Sequence, residues 1–106
     1  MVQIDLFNEG YIDFIGNEIT SSSSVESLVI LGATEEINIY DSVIDNSEND
    51  GKNYLKLIQS KAVTIDNFIV HDLLGSASIG KSIIYINLLP DADFTLENCH
   101  FYQNVL

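Results

Sequence analysis

The sequence predicts an all-β chain made of short strands that recur along the chain, and three observations support this. Its apolar segments are short and rich in β-branched and aromatic residues, and several alternate with period two, as in Ile37–Ile39 and Val63–Ile65. The connecting segments are rich in Ser, Asn, Asp and Gly, which favour turns and interrupt helical spacing. Similar segments recur roughly every 30 residues, a period typical of a solenoid of stacked units.

Two interleaved patterns define the strands in chain order. The first has an aliphatic residue two positions before Asn or Asp and an apolar residue three positions after it; its polar members are Asn8, Asp41, Asn67 and Asn98. The second is a plain apolar segment that lies between successive copies of the first: Leu28–Leu31, Leu55–Ile58 and Ile83–Ile86. Because both patterns repeat with nearly the same spacing, we interpret them as equivalent strands of successive repeats.

This double pattern resembles the right-handed parallel β-helix of the pectin-lyase-like superfamily. In that fold each coil has three strands, and a stacked asparagine often holds the turn between the second and the third. The resemblance implies a right-handed parallel β-helix (solenoid) of about three to four coils, with the four polar residues as a turn ladder that Asp41 would interrupt. It also implies a core of aligned apolar residues: Leu6, Leu28, Ile39, Leu55, Ile65, Ile84, Leu96 and Phe101.

A looser resemblance links two short segments to the FxxN repeats of polymorphic outer-membrane proteins and adhesin-type surface proteins. The segments are Phe14-Ile-Gly-Asn17 and Phe101-Tyr-Gln-Asn104. This resemblance implies an extracellular or cell-surface location, while an intracellular scaffold stays open as the alternative.

The ends of the sequence predict contacts with further protein. The chain enters a strand almost at once and finishes on apolar residues, without an amphipathic capping helix. We therefore expect residues 1–106 to be a single module of a longer solenoid with uncapped ends, where Val2, Ile4, Phe94 and Leu106 stack on other protein. The expected partners are adjacent coils of its own longer chain or copies assembled head to tail.

Composition and charge exclude several classes of partner. Sixteen acidic residues against four lysines, with no arginine, give a net charge of −12, which disfavours nucleic-acid phosphates. No apolar run is long enough for membrane insertion as a helix. Cys99 is the only cysteine, so an intrachain disulfide is impossible.

The sequence predicts neither an enzyme nor a cofactor. Polysaccharide lyases that the fold resembles use an arginine base, which this chain lacks. Carboxylate pairs such as Asp91 and Asp93 arise by default among so many acids, and His71, His100 and Cys99 are not expected to bind a metal.

The acidic loop Asp45 to Gly51 departs from a calcium-binding EF-hand. Gly51 stands one position late, and Lys56 replaces the bidentate glutamate. We expect a solvated loop, and calcium binding there stays open.

Two functions are compatible with these observations. The first is a non-catalytic structural or interaction module, a rigid rod or scaffold within a larger assembly. The alternative is a carbohydrate-binding or carbohydrate-degrading domain, for which a glycan would stack on exposed tyrosines. The candidates Tyr40, Tyr85 and Tyr102 fall on different strands and form no evident row, which favours the first function.

Overall fold

A computed structural model describes residues 2–6, 9–21, 23–24, 27–49, 53–75 and 82–104. These residues form strands connected by turns and contain no helix, and therefore no helix that could cross a membrane. The strands are β1 (Val2–Asp5), β2 (Tyr11–Ile15), β3 (Glu18–Thr20), β4 (Ser23–Ser24), β5 (Val29–Gly32), β6 (Glu36–Asp45), β7 (Glu48–Asn49), β8 (Asn53–Ile58), β9 (Ala62–His71), β10 (Leu74–Gly75), β11 (Ser82–Asn87), β12 (Asp93–Glu97) and β13 (His100–Tyr102).

The strands lie in three sheets whose pairings are all parallel. One sheet has four strands in the order β1-β5-β8-β11, and a short one has the order β10-β7-β4. The largest sheet has six strands: β12, β9, β6 and β2 in that order, with β13 beside β9 and β3 beside β6. The prediction of an all-β chain with parallel strands is confirmed.

Each pass of the chain through these sheets makes one layer, so four successive layers contribute one strand each to the four-stranded sheet. Ile12 pairs with Ile37, Ile37 with Val63 and Val63 with Phe94, so these four residues form a column across the layers. The step along the chain from Val63 to Phe94 is longer than the two earlier steps, in part because a turn around Asp91 adds residues before β12. In this turn the Ala92 N–H donates to the Leu89 carbonyl at 3.2 Å. Equivalent residues therefore stay aligned although the repeat length varies.

The expected right-handed parallel β-helix of three to four coils is wrong. The described strands form sheets of four and six parallel strands, with a third sheet of two-residue strands, rather than the predicted solenoid. The expected coil needs a break between its second and third strands at the asparagine position. Instead the chain continues as one ten-residue strand through Asp41 in β6 and through Asn67 in β9, because a single left-handed residue bends the strand without ending it.

The hydrophobic core is centred on the two middle layers. In β6 and β9 every second residue is buried on each side of the bend, and β5 is buried throughout. The largest fully buried side chains include Tyr54 and Phe68, and the Tyr54 hydroxyl donates to the Leu74 carbonyl at 2.7 Å. This hydrogen bond satisfies the one polar atom of an otherwise apolar buried ring.

Burial separates the expected core residues into two groups. Leu28, Ile39, Leu55 and Ile65 are buried, and Ile84 is partly buried against them. Three other residues that were expected in the core are instead 37–46% exposed: Leu6, Leu96 and Phe101. They lie in the first or the last layer, where a strand has a neighbour on one side alone, so the layer that would cover them is missing within the described residues.

Candidate functional site: two apolar terminal surfaces

The first and last layers each present a set of apolar side chains that continue the columns of the core. We call Ile84 and Ile86 of β11, Phe94 and Leu96 of β12, and Phe101 of β13 the C-terminal surface. We call Val2 and Ile4 of β1, Ile12 and Phe14 of β2, and Ile19 of β3 the N-terminal surface. Each column runs through the two middle layers, as in Phe14, Ile39, Ile65 and Leu96.

The C-terminal surface is apolar and accessible. Ile86, Phe94, Leu96 and Phe101 are 38–46% exposed, whereas the residues directly beneath them, Leu57, Val63, Ile65 and Val70, are at most 1% exposed. The Phe101 ring also meets the Phe68 ring edge to face, with centroids 6.4 Å apart. These side chains therefore point in the same direction as core residues and differ from them in lacking one covering layer.

The N-terminal surface is apolar but more covered. Val2 and Ile4 of β1 are 39% and 38% exposed. Ile12 and Phe14 of β2 are buried at 5% and 8%, so the six-stranded sheet is better closed at this end.

Among the described residues, no strand pairs with the outer edge of either terminal layer. The Asp93 N–H donates to the Lys61 carbonyl at 2.9 Å, so the alternation of a strand points the backbone groups of Phe94 and Leu96 away from β9. At the other end, the Gly16 N–H donates to the Tyr40 carbonyl at 3.0 Å, so Ile15 and alternate residues before it point theirs away from β6. Free edges beside apolar side chains are templates for adding another strand.

Left-handed residues form a column at the bends of the long strands. Gly16, Asp41, Asn67 and Asn98 all have positive φ, between 50° and 67°. Asn67 Nδ2 donates to Asp41 Oδ1 at 2.8 Å, so Asp41 accepts a hydrogen bond within the column rather than interrupting it, whereas Asn98 Nδ2 donates to Asp66 Oδ1 at 2.8 Å, outside the column. The expected ladder member Asn8 lies outside the described residues, and Gly16 holds the equivalent position because Ile15 pairs with Tyr40.

A second left-handed column follows the ends of β3, β6, β9 and β13. Its members are Ser21, Asn46, Asp72 and Gln103, with φ between 46° and 54°. Sequence reasoning missed this column because its residue types differ. The signal that could have found it is spacing, since each member lies five residues after a member of the first column.

His71 is the centre of a polar cluster on the outer side of the six-stranded sheet. Its Nδ1 lies 2.7 Å from Asp72 Oδ2, its Nε2 lies 3.6 Å from Asp45 Oδ2, and its ring stacks on Tyr102 with centroids 4.9 Å apart and planes 2° from parallel. Asp45 Oδ1 is buried without a hydrogen-bond partner. Within the described ranges no group of three or more His, Cys, Asp or Glu side chains has the arrangement of a metal site. The contacts connect three layers and therefore have a structural role.

Cys99 packs partly buried against the core near the bend after β12. Its Sγ lies 3.2 Å from the Glu97 carbonyl, to which the thiol donates. Burial raises the pKa of the Cys99 thiol above its ordinary value of 9.0. A raised pKa lowers the fraction of thiolate, which is the nucleophilic form of cysteine.

The remaining candidates from the sequence are dispersed. Tyr85 lies in the four-stranded sheet, with Lys56 Nζ 5.7 Å from its ring centroid, whereas Tyr40 and Tyr102 lie in the six-stranded sheet. They form no row on which a glycan could stack. In the acidic loop Ser47 Oγ donates to the Asp45 carbonyl at 2.8 Å, and residues 50–52 lie outside the described residues. Leu106 also lies outside them.

No protein-family model, curated protein or solved structure matches this chain. The resemblance to the pectin-lyase-like superfamily therefore stays a prediction.

Proposed function

We propose that the chain is a non-catalytic structural module that joins a larger protein assembly by pairing its terminal strands with further strands. The observation that carries this proposal is the C-terminal surface, where apolar columns of the core end in side chains 38–46% exposed beside a free strand edge. Covering such a surface removes apolar area from water at about 25 cal/mol per Å², and pairing the edge satisfies its backbone groups.

The sequence of the terminal strands supports this proposal. Natural sheets often protect a free edge with lysine, proline or inward-pointing charges. Strands β1, β2, β3, β11, β12 and β13 contain no lysine or proline, and apart from Ser82 of β11 their inward positions are apolar. They do carry exposed acids, namely Asp13, Glu18, Asp93 and Glu97, at outward positions. The support for a neighbouring strand therefore comes from the inward side chains and from the absence of lysine and proline.

Site-specific photo-cross-linking in the cells that naturally express the protein tests this function. A photoreactive amino acid replaces Leu96, whose side chain belongs to the C-terminal surface. The matched control carries it at Tyr40, on the outer side of β6 in a middle layer. We expect position 96 to cross-link to protein, either another chain or a further segment of the same chain, and position 40 to give much less product. Equal products at both positions, or none at 96, would contradict the proposal.

A further inference from the structure

The two terminal surfaces match each other residue by residue, and we propose that a second copy of this chain binds the C-terminal surface with its own N-terminal surface. This inference rests on the proposed function and names the partner. Each copy then adds its first layer to the last layer of the next, with β12 parallel to β2 and β11 parallel to β1. Because such a head-to-tail contact does not close on itself, it builds linear assemblies.

The apolar columns continue across this contact. With the spacing that the chain keeps between its own layers, Phe94 falls in the column of Ile12 and Leu96 in that of Phe14. Ile12 and Phe14 are 5% and 8% exposed in the single chain, so these two contacts require the groups that cover them to move aside, whereas Val2 and Ile4 are 39% and 38% exposed. The other three columns join in the same way: Phe101 with Ile19, Ile84 with Val2, and Ile86 with Ile4. All five contacts are apolar on both sides, so no inward polar group is buried without a partner.

The bends also coincide. Asn98 follows Phe94 by four residues, and Gly16 follows Ile12 by four residues, and both have positive φ. Two strands that bend at the same distance from the start of their pairing stay in register on both sides of the bend. The contact therefore extends from β12 and β2 to β13 and β3.

The free backbone groups alternate in the required way. In a parallel pair each residue that bonds across the pair exchanges hydrogen bonds with the two residues flanking its partner. The groups of Phe94 point out of β12, and those of Tyr11 and Asp13, which flank Ile12, point out of β2. This edge of β12 therefore finds donors and acceptors at the positions where a parallel strand needs them.

The outward side chains avoid contacts between acids, although the chain has a net charge of −12. In the same register Asp93 meets Tyr11, and Glu97 meets Ile15. Two further pairs bring an acid of the N-terminal layer beside a group that can donate a hydrogen bond to it: Thr95 with Asp13, and His100 with Glu18. This register therefore places no acid of one copy against an acid of the other in these four pairs.

The extents of the molecule set an upper limit on the contact. Four layers about 4.8 Å apart fit within the shortest extent, 21 Å, and in that arrangement the faces at the two ends are bounded by 34 × 25 Å. One face then covers less than about 850 Å², and the ~800 Å² that each partner of a specific interface buries lies within this limit.

Mixing two one-sided variants tests the inference with the whole chain. Leu96→Lys places a charge in the C-terminal surface, and Ile4→Lys places one in the N-terminal surface. Both side chains are more than a third exposed, so we expect both variants to fold. Thr64→Lys, on the outer side of the middle strand β9, is the matched control. Oligomeric state is measured by sedimentation over a range of concentrations, with circular dichroism confirming strand content.

We expect the unmodified chain and Thr64→Lys to associate, and each surface variant alone to associate about tenfold more weakly or not at all. In an equimolar mixture, the intact N-terminal surface of Leu96→Lys can bind the intact C-terminal surface of Ile4→Lys. The resulting dimer carries a lysine variant at each end, so it should not grow further. A monomeric unmodified chain overturns the inference, as does a surface variant that alone associates as tightly as the unmodified chain. Either result leaves the proposed function to be decided by cross-linking, because another protein would then cover the ends.

A charge exchange tests the register independently of the lysine variants. His100→Glu places an acid against Glu18 and should weaken association about tenfold, and adding Glu18→Lys should restore it. Unchanged association of His100→Glu, or no recovery in the double variant, would contradict the proposed register.

Discussion

At the scale of single residues, one left-handed position per layer gives the long strands their bend. Asp41, Asn67 and Asn98 hold φ between 50° and 53°, which asparagine and aspartate tolerate because their short polar side chains bond locally. Asn67 and Asn98 each donate a side-chain hydrogen bond to an aspartate of the preceding layer. The same residue type therefore supplies both the backbone conformation and a bond between layers.

Replacing Asn67 by leucine should lower the free energy of unfolding by about 1–2 kcal/mol, because leucine is strained at φ 53° and cannot donate to Asp41. Asn67→Gly is the control, since it loses the hydrogen bond but accepts the conformation, and it should cost less. Urea unfolding measures both. Equal losses would show that the left-handed conformation does not determine the residue type.

Cys99 should make stability depend on alkaline pH. Its pKa is raised in the folded protein by burial, so between 9.0 and that raised pKa the unfolded chain ionises while the folded chain does not. The contribution is fully present below pH 9.0 and is lost as the pH rises through the folded pKa. Cys99→Ala should remove this part of the pH dependence of the melting temperature. An identical alkaline profile for both proteins would contradict the assignment to Cys99.

The Cys99 thiol should also react slowly with iodoacetamide. At pH 8 the folded protein should be alkylated more slowly than the urea-unfolded protein, because the thiolate fraction is lower and the sulfur is partly covered. Mass spectrometry of timed samples measures both rates. Equal rates would mean that the environment described here does not protect the thiol.

At the scale of elements, the number of neighbouring strands decides what an apolar residue contributes. β6 and β9 each have neighbours on both sides, whereas β12 pairs on one side with β9. Ile65 and Leu96 belong to the same column, yet Ile65 is fully buried and Leu96 is 46% exposed. Position in the stack of layers separates them, not residue type.

Ile65→Ala should therefore cost about 2–5 kcal/mol of unfolding free energy, and Leu96→Ala about 1 kcal/mol in dilute solution. If Ile65→Ala does not fold, Ile65→Val can be measured in its place, with an expected loss of about 0.5–1.5 kcal/mol of unfolding free energy. Chemical denaturation of the three variants gives the comparison. Similar costs for the two alanine variants would mean that Leu96 is already covered at low concentration.

At the scale of the whole molecule, the charge of −12 opposes any contact between copies. The matched terminal layers avoid acid-on-acid pairs, but the remaining acids still repel over distances comparable with the Debye length, about 30 Å at 0.01 M salt and 8 Å at 0.15 M.

Raising the salt concentration from about 0.01 to 0.15 M should strengthen head-to-tail association, because the general repulsion is screened while apolar burial persists. Sedimentation at constant protein concentration measures this effect. Weaker association at higher salt would indicate a contact held by opposite charges and contradict the apolar interface.

The sequence alone determined the features that depend on local preference. Period-two alternation and Ser, Asn and Gly clusters were sufficient to predict strands and turns, and the positive φ at Asn67 and Asn98 follows from the residue type. The recurrence of similar segments indicated stacked repeats, and the resemblance to a parallel β-helix implied that their strands are parallel. Local patterns of this kind are present in the chain before any distant contact forms.

The tertiary structure alone decided how the strands are shared among sheets and which apolar residues are covered. Sequence pattern assigned Asn8 to the first bend, whereas the pairing of Ile15 with Tyr40 assigns Gly16. It also made Leu96 equivalent to Ile65, although one is exposed and the other buried. The physical reason is that register and burial depend on which strands lie above and below, and an apolar residue has the same local pattern whether or not a further layer covers it.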